Sequence, residues 1–306
     1  MGGNFIMKIG VIGIGDIAKK AYLPILGTRA DVELSIASRN QEVVNQVAQQ
    51  YRVAHKCASV QELIATKTDA AFVHAATEAH PIIVRELIEA GVHVFVDKPI
   101  AYTLGETEQL VSLAKQRGVG LMVGFNRRFA PMYRNVKAEI HNPETILLQK
   151  NRTGPLSDIR TTILDDYIHV IDTLLAYVGE ANVDMHVQAK IEEGLLHYII
   201  LNVVAGNTTG IGIMHRQTGV TEERLEIMGN QKKFVVNNMV HTTAFVNQTE
   251  QYQPFGDWTT TLYRRGFVDM IDHFITCVRN GQPFETSGER SLRTHELCEK
   301  IVSELS

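Results

Sequence analysis

Residues 7–18 read MKIGVIGIGDIA, and this stretch decides the fold of the first half of the chain. Residues 7–14 form a short apolar run that reads as a buried strand. Glycines follow at once, then a helical pattern to about Leu26. Gly13, Gly15 and Ala18 have the GxGxxA spacing of a dinucleotide-binding turn. Gly13 would make the tight turn, Gly15 would let the backbone approach a pyrophosphate, and Ala18 would let the helix pack closely on the strand. The free N–H groups at the helix start, around Asp16 and Ile17, would then hold the phosphates with the help of the helix dipole. Outside this strand–turn–helix context the same glycines would be only a turn.

Working outward, apolar runs at residues 32–37, 69–76, 92–96 and 120–124 alternate with helical patterns at 41–51, 81–90 and 104–116. Short buried strands alternating with helices predict βαβ units and a doubly wound parallel sheet of Rossmann type over residues 1–124. Residues 1–6 precede a second methionine, Met7, and are expected to lie outside the fold. After Phe125 the pattern changes. A strand at 145–150 and an amphipathic helix at 165–178 precede strands at 183–191, 195–204, 210–215, 224–228, 233–236 and 242–246. Strands that follow one another without crossover helices predict an α+β domain with a mainly antiparallel sheet over residues 125–306. Closing helices are expected at 263–278 and 289–304, where they can pack back on the first domain. Apolar strand residues such as Ile199, Val203 and Ile211 suit either an open sheet face that pairs copies of the chain or a helix-covered face.

The end of the second strand bears on the coenzyme. A carboxylate there would accept from a ribose 2′-OH, whereas a 2′-phosphate calls for a cation and small donors. The sequence is Ala37-Ser38-Arg39-Asn40, without a carboxylate. Arg39 and Ser38 suit a phosphate, so NADP(H) is expected to be preferred, with NAD(H) as the alternative. The plainer reading of Arg39 is a solvent-facing loop residue.

Later in the domain, Val94-Phe-Val-Asp97-Lys98-Pro99 ends a strand at the carboxyl edge, where doubly wound sheets bind ligands. A lysine there can polarise a carbonyl or share a proton, although alone it reads equally as a turn lysine. Asp165 and His169 lie four apart in a helical pattern that Asp172 continues, so a carboxylate can orient an imidazole. Asp165 or Asp166 as a helix cap, with His169 merely packed, is the competing account. His74, inside an apolar strand, reads as a satisfied core residue, and Tyr22 as a core or pocket residue.

The ordered set of residues 10–18, Asp97-Lys98-Pro99, residues 124–131 (GFNRRFAP) and Asp165-Asp-Tyr-Ile-His169 closely resembles the Gfo/Idh/MocA family of sugar-type oxidoreductases. Within it, VDKPIA, LMVGFNRRFAP and ILDDYIHVIDTLL look like the branch called MviM, named as a virulence factor. The resemblance covers nearly the whole chain, including residues 265–268. It implies that Lys98 is the catalytic lysine and that Asp165 and His169 are the family's DxxxH pair. Asp97 stands where the family usually has glutamate, which keeps the carboxylate but shortens it. The resemblance also places Thr77, Glu78 and His80 around the nicotinamide ribose, with Glu78 a departure from the usual Pro-Asn text. It sets Asn126 and Arg128 beside cofactor and substrate, where Arg127 and Arg128 would bind a carboxylate or phosphate or form an interdomain salt bridge. His215 and Arg216 are further candidates to face the substrate.

Composition limits the function classes. The chain has 306 residues, 44% hydrophobic and 21% charged, which excludes a disordered protein. A net charge of −4 gives no general pull toward nucleic acid or anionic membrane, and no apolar run approaches the ~20 residues of a membrane span. Cys57, Cys277 and Cys298 are too scattered for a disulfide framework, so a reducing cytoplasm is the expected compartment. No His/Cys/Asp/Glu cluster has metal-ligand spacing, and metal-free chemistry is expected. The sequence therefore predicts reversible hydride transfer between NAD(P) and a carbinol or carbonyl of a sugar, polyol or sugar derivative. Lys98 and His169 would be the acid–base groups, in a homo-oligomer, dimer or tetramer. A non-catalytic NADP(H) sensor or partner-binding protein, and a hydrolase or lyase working by transient oxidation, are the alternatives.

Overall fold

The computed structural model describes residues 6–179 and 183–306; the expected extension at 1–6 lies outside them except for Ile6. The chain divides into two compact units, one of Met1–Gly124 with Val268–Leu292, the other of Phe125–Phe267 with Arg293–Ser306.

In the first unit, β1 (Met7–Ile12), β2 (Val32–Ala37), β3 (His55–Cys57), β4 (Ala70–Val73), β5 (His93–Val96) and β6 (Leu121–Val123) form one sheet in the order β3-β2-β1-β4-β5-β6. Every pairing in it is parallel. The order reverses at β1, which pairs with both β2 and β4, and this opens the crevice where such folds bind nucleotides. Gly10 explains part of the packing: a Cβ there would sit 2.6 Å from Leu63 Cδ2, so the leucine of helix Val60–Ala65 fills the space that glycine leaves on the strand. Neither β3 nor that helix is legible in the sequence; His55-Lys-Cys57 is short and half polar. A late segment completes this unit. Phe274, on helix Phe267–Asn280, meets the Phe72 and Phe95 rings edge-on at 5.0 and 5.6 Å. All three rings are buried, worth roughly 1.5–3 kcal/mol apiece. Edge strand β6 is closed by residues 286 and 287: Val123 N donates to Thr286 O, and Thr286 Oγ1 donates to Val123 O.

In the second unit, β7 (Thr145–Asn151), β8 (Asp184–Glu192), β9 (Leu195–Ala205), β10 (Thr208–His215), β11 (Glu222–Gly229), β12 (Lys232–Asn237), β13 (His241–Val246) and β14 (Thr249–Pro254) form a sheet ordered β14-β13-β12-β11-β7-β10-β9-β8. It is antiparallel except where β10 pairs parallel with β7. Helix Ile168–Val178 covers one face. Gly210 and Gly212 allow this, since a Cβ at either would press on Val178, Leu174 or Val170. Ile199 and Val203 point into that covered core, whereas Ile211 lies on the opposite, half-exposed face. The predicted closing helix at 263–278 is two pieces, Thr261–Arg264 and Phe267–Asn280. Gly266 breaks it, with φ +78° and a Cβ position 2.4 Å from Asn126 O.

Candidate functional site

At the carboxyl ends of β1, β2 and β4 a cleft of about 580 Å³ is lined by Gly13, Gly15, Ser38, Arg39, Ser59 and backbone beyond β4, among others. Its size is in the range of cofactor sites. Gly13 has φ +84°, and a Cβ there would lie 2.3 Å from Ala75 N, so the turn itself demands glycine. Gly15 differs. Its φ is not left-handed, and a Cβ would meet nothing within 4 Å. Packing of the chain gives no reason for glycine at 15, whereas close approach of a pyrophosphate does, so the cradle fits a dinucleotide. Ala18 is fully buried against the sheet, as its place in the fingerprint requires. Asp16 and Ile17 are exposed at the helix start, and the Asp16 carboxylate takes Lys20 Nζ at 2.7 Å. At the end of β2, Ser38 Oγ accepts from Asn40 N, and Asn40 caps helix Gln41–Tyr51 by accepting from Val43 N. The cap leaves Arg39 exposed at the cleft wall.

Lys98 follows β5 and is half-buried, joined to Pro99 by a cis peptide bond. Asp97 Oδ1 accepts from Lys98 N at 2.9 Å, and its Oδ2 lies 3.8 Å from His74 Nδ1. Burial alone would raise the Asp97 carboxyl, but His74 and the Lys98 charge outweigh it and hold it below the ordinary aspartate value. His74 is not the satisfied core histidine the sequence suggests. Its ring lies against Tyr22, tilted by 35° with centroids 3.8 Å apart, and neither ring nitrogen has a hydrogen-bond partner among the described residues. Tyr22 is fully buried in this aromatic core. His80, expected beside the nicotinamide ribose, is buried, with Nδ1 2.9 Å from Pro99 O and Nε2 3.0 Å from Ala75 O. Burial pushes its pKa down, and a neutral ring can donate to only one of those carbonyls, Ala75 O after β4 or Pro99 O beside Lys98. Thr77 and Glu78 lie in the 3₁₀ turn Thr77–Ala79, half-buried and exposed respectively.

In the second unit the expected continuous helix begins as a π-turn, Ile163–Tyr167, and becomes α-helical at Ile168. Asp165 and His169 flank that junction, both half-buried, and such turns recur at functional sites. The Phe125 ring meets the His169 ring edge-on at 6.5 Å. Asp172 is buried and has another use: Arg128 donates to it through Nε at 3.0 Å and Nη2 at 2.8 Å, and Thr294 Oγ1 donates at 3.3 Å. Arg127 Nε and Nη2 fork onto Glu223 at 2.8 and 2.6 Å, and Tyr133 OH donates to the same carboxylate. Both of these arginine–carboxylate pairs of the NRRF segment lie inside the second unit. Asn126 is buried too, donating to Arg265 O at 2.8 Å and accepting from Arg127.

Sequence reasoning missed Lys150, a fully buried lysine at the end of β7. Its Nζ donates to Asp166 O and to the Asp166 carboxylate, which also takes Arg152 Nη2 at 2.9 Å and Arg216 Nη1 at 2.6 Å. Burial favours the neutral acid, yet Arg152 and Lys150 outweigh it and hold Asp166 far below the usual carboxylate range. The only signal in the sequence is a lysine interrupting the run TILLQK.

Comparison with known proteins gives the family. Residues 7–125 match the Gfo/Idh/MocA description "Oxidoreductase family, NAD-binding Rossmann fold", and residues 131–246 match "YceM-like, C-terminal domain". YceM of Salmonella typhimurium, which carries an oxidoreductase name, is 36% identical over 96% of this chain and 97% of its own. The crystal structure of a dehydrogenase (MviM) from Clostridium difficile superposes with a TM-score of 0.93 at 33% identity, covering 97% of this chain and 99% of that one. Myo-inositol 2-dehydrogenase of Thermotoga maritima is 23% identical over 92% of this chain and 91% of its own. With its glycine cradle, its lysine after the fifth strand and this match along both units, the chain belongs to the Gfo/Idh/MocA family of oxidoreductases.

Proposed function

We propose that this oxidoreductase prefers NADP(H) and acts on a carbinol or carbonyl carbon of a sugar, polyol or sugar derivative. The observation that carries the reading is the cleft at the reversal of the first sheet, lined by an unhindered Gly15 together with Ser38 and Arg39. When bound, the coenzyme supplies the hydride acceptor or donor. Gly13 and Gly15 present backbone N–H groups to its pyrophosphate, and Ser38 and Arg39 take the 2′-phosphate. Lys98 stabilises negative charge developing on the substrate oxygen, with Asp97 beneath it as a fixed carboxylate. His169 takes the hydroxyl proton as general base, and Asp165 sets the orientation of its ring. Thr77 and Glu78 are the side chains proposed near the nicotinamide ribose. Asn126, Arg128 and His80 complete the proposed set from buried or half-buried positions, held by Arg265 O, by Asp172 and by the carbonyls of Ala75 and Pro99. The inositol dehydrogenase name of a relative supports a polyol or sugar as substrate.

Arg39→Ala is expected to lower the preference for NADPH over NADH by at least about tenfold, since a guanidinium–phosphate fork is among the stronger charge-assisted contacts. Specificity ratios from kcat/KM with each coenzyme measure it, and an unchanged ratio would refute the assignment. The two glycines separate turn from ligand. Gly13→Ala should cost roughly 2 kcal/mol or more through backbone strain and contact with Ala75, read as a lower melting temperature. Gly15→Ala should leave the melting temperature of the free protein unchanged and weaken NADPH binding. Equal thermal losses in both variants would remove the cradle from the argument. A panel of sugars, inositols and sugar acids, followed by NADPH absorbance and product mass, tests the reaction. Tight NADPH binding without turnover on the panel would favour a sensor instead.

A further inference from the structure

We infer that the second unit holds a subsite for an anionic group, a carboxylate or a phosphate, on the molecule that the enzyme oxidises or reduces. This rests on the oxidoreductase reading above and adds the substrate's charge to it. The residues are drawn from the end of β7 (Lys150, Arg152), the end of β10 (Arg216), the π-turn (Asp166), the 3₁₀ turn Asn126–Phe129 (Arg127) and the loop before Gly266 (Arg265).

The argument is one of charge balance. Asp166 pairs directly with Lys150, Arg152 and Arg216, and Glu223 adds a longer-range attraction on Lys150 and Arg152. Glu223 is already taken by the Arg127 fork and the Tyr133 hydroxyl, and Glu222 accepts from Asn151 Nδ2 at 2.9 Å. Arg265 makes no ion pair among the described residues, and burial together with Arg127 and Arg152 disfavours its charge. Lys150 can relieve the strain by giving up its proton, because burial and Arg127 push its pKa down. Guanidiniums have no such escape. With Lys150 neutral, four arginines still face the two carboxylates Asp166 and Glu223. Arg216 is 15% exposed and Arg152 34%, so water screens the surplus only in part. A structural ion pair for Asp166 needs one cation; the others cost desolvation and mutual repulsion that a bound anion would offset. Planar guanidiniums match the oxygens of carboxylate and phosphate in pairs. Asp166 is the neighbour of Asp165 on the turn that leads to His169, so the surplus lies on the element of the proposed acid–base pair.

The test is calorimetric binding of D-glucuronate, D-glucose 6-phosphate and neutral D-glucose to the full chain with NADP(H) present. The wild type is compared with Arg265→Gln and Arg152→Gln. The expected result is at least tenfold tighter binding of one or both anions than of glucose, falling severalfold in either variant and with added salt, while glucose binding is unmoved. The two anionic arms report whether carboxylate or phosphate is preferred. Should Arg152→Gln fail to fold, Arg265→Gln, which removes no ion pair, carries the comparison. Glucose binding as tightly as both anions, or an anion advantage that survives both substitutions, overturns the subsite. Anion binding that follows these rules without turnover of any sugar, inositol or sugar acid in the panel would instead count against the proposed substrate class and leave the anion subsite standing.

Discussion

Lys98→Ala is expected to lower kcat by about 10²- to 10⁴-fold while leaving the dissociation constant of NADPH nearly unchanged. The residue follows the fifth parallel strand at the carboxyl edge, and its backbone N–H is held by Asp97 Oδ1 at 2.9 Å. Lys98 is not among the residues that line the nucleotide cleft. An ammonium that meets charge appearing only in the transition state contributes to kcat rather than to ground-state binding. Lys98→Arg keeps the charge but exchanges a compact ammonium for a planar fork, so rescue should be partial. Stopped-flow turnover together with fluorescence titration of NADPH separates the two quantities. If turnover and coenzyme binding fall together, Lys98 is a cofactor-binding or folding residue.

The second large effect concerns stability. Glu223→Gln leaves the buried Arg127 guanidinium without its counter-charge and is expected to cost about 3–5 kcal/mol. The carboxylate is buried, yet Arg127, Lys150 and Tyr133 outweigh the burial and lower its pKa from 4.5 to about 2. A folded-state pKa below the unfolded one means that protons bind the unfolded chain more readily. The pair's contribution is therefore full above about pH 4.5 and is lost as the pH falls toward 2, by roughly 3 kcal/mol. Urea unfolding of wild type and variant across that window measures it. The wild type should converge on the variant at low pH, and an equal gap at pH 3 and pH 7 would show that Glu223 is not the group that titrates.

Much of the first unit was legible because its signals are local. The fingerprint turn depends on one glycine's left-handed backbone and another's missing side chain, and both requirements lie within six residues. Strands β2, β4 and β5 announce themselves as apolar runs since a parallel sheet buries both faces. The unread elements are those whose stability comes from elsewhere. His55–Cys57 is a strand because β2 offers it an edge, and Thr249–Pro254 because β13 does, although all six of its residues are exposed. The helix broken at Gly266 looked continuous, since apolar spacing does not register a close approach to Asn126 O.

The sequence by itself determined the parallel dinucleotide fold, the mainly antiparallel second sheet and the family, because periodicity, turn glycines and ordered short motifs are properties of neighbouring residues. Only the tertiary structure decided what the polar side chains do. Arg127 meets Glu223 across 96 positions and Arg128 meets Asp172 across 44, while Lys150, Arg152 and Arg216 converge on one carboxylate. A charge's partner is set by distance through space and by the water excluded around it, neither of which is written in the order of the residues.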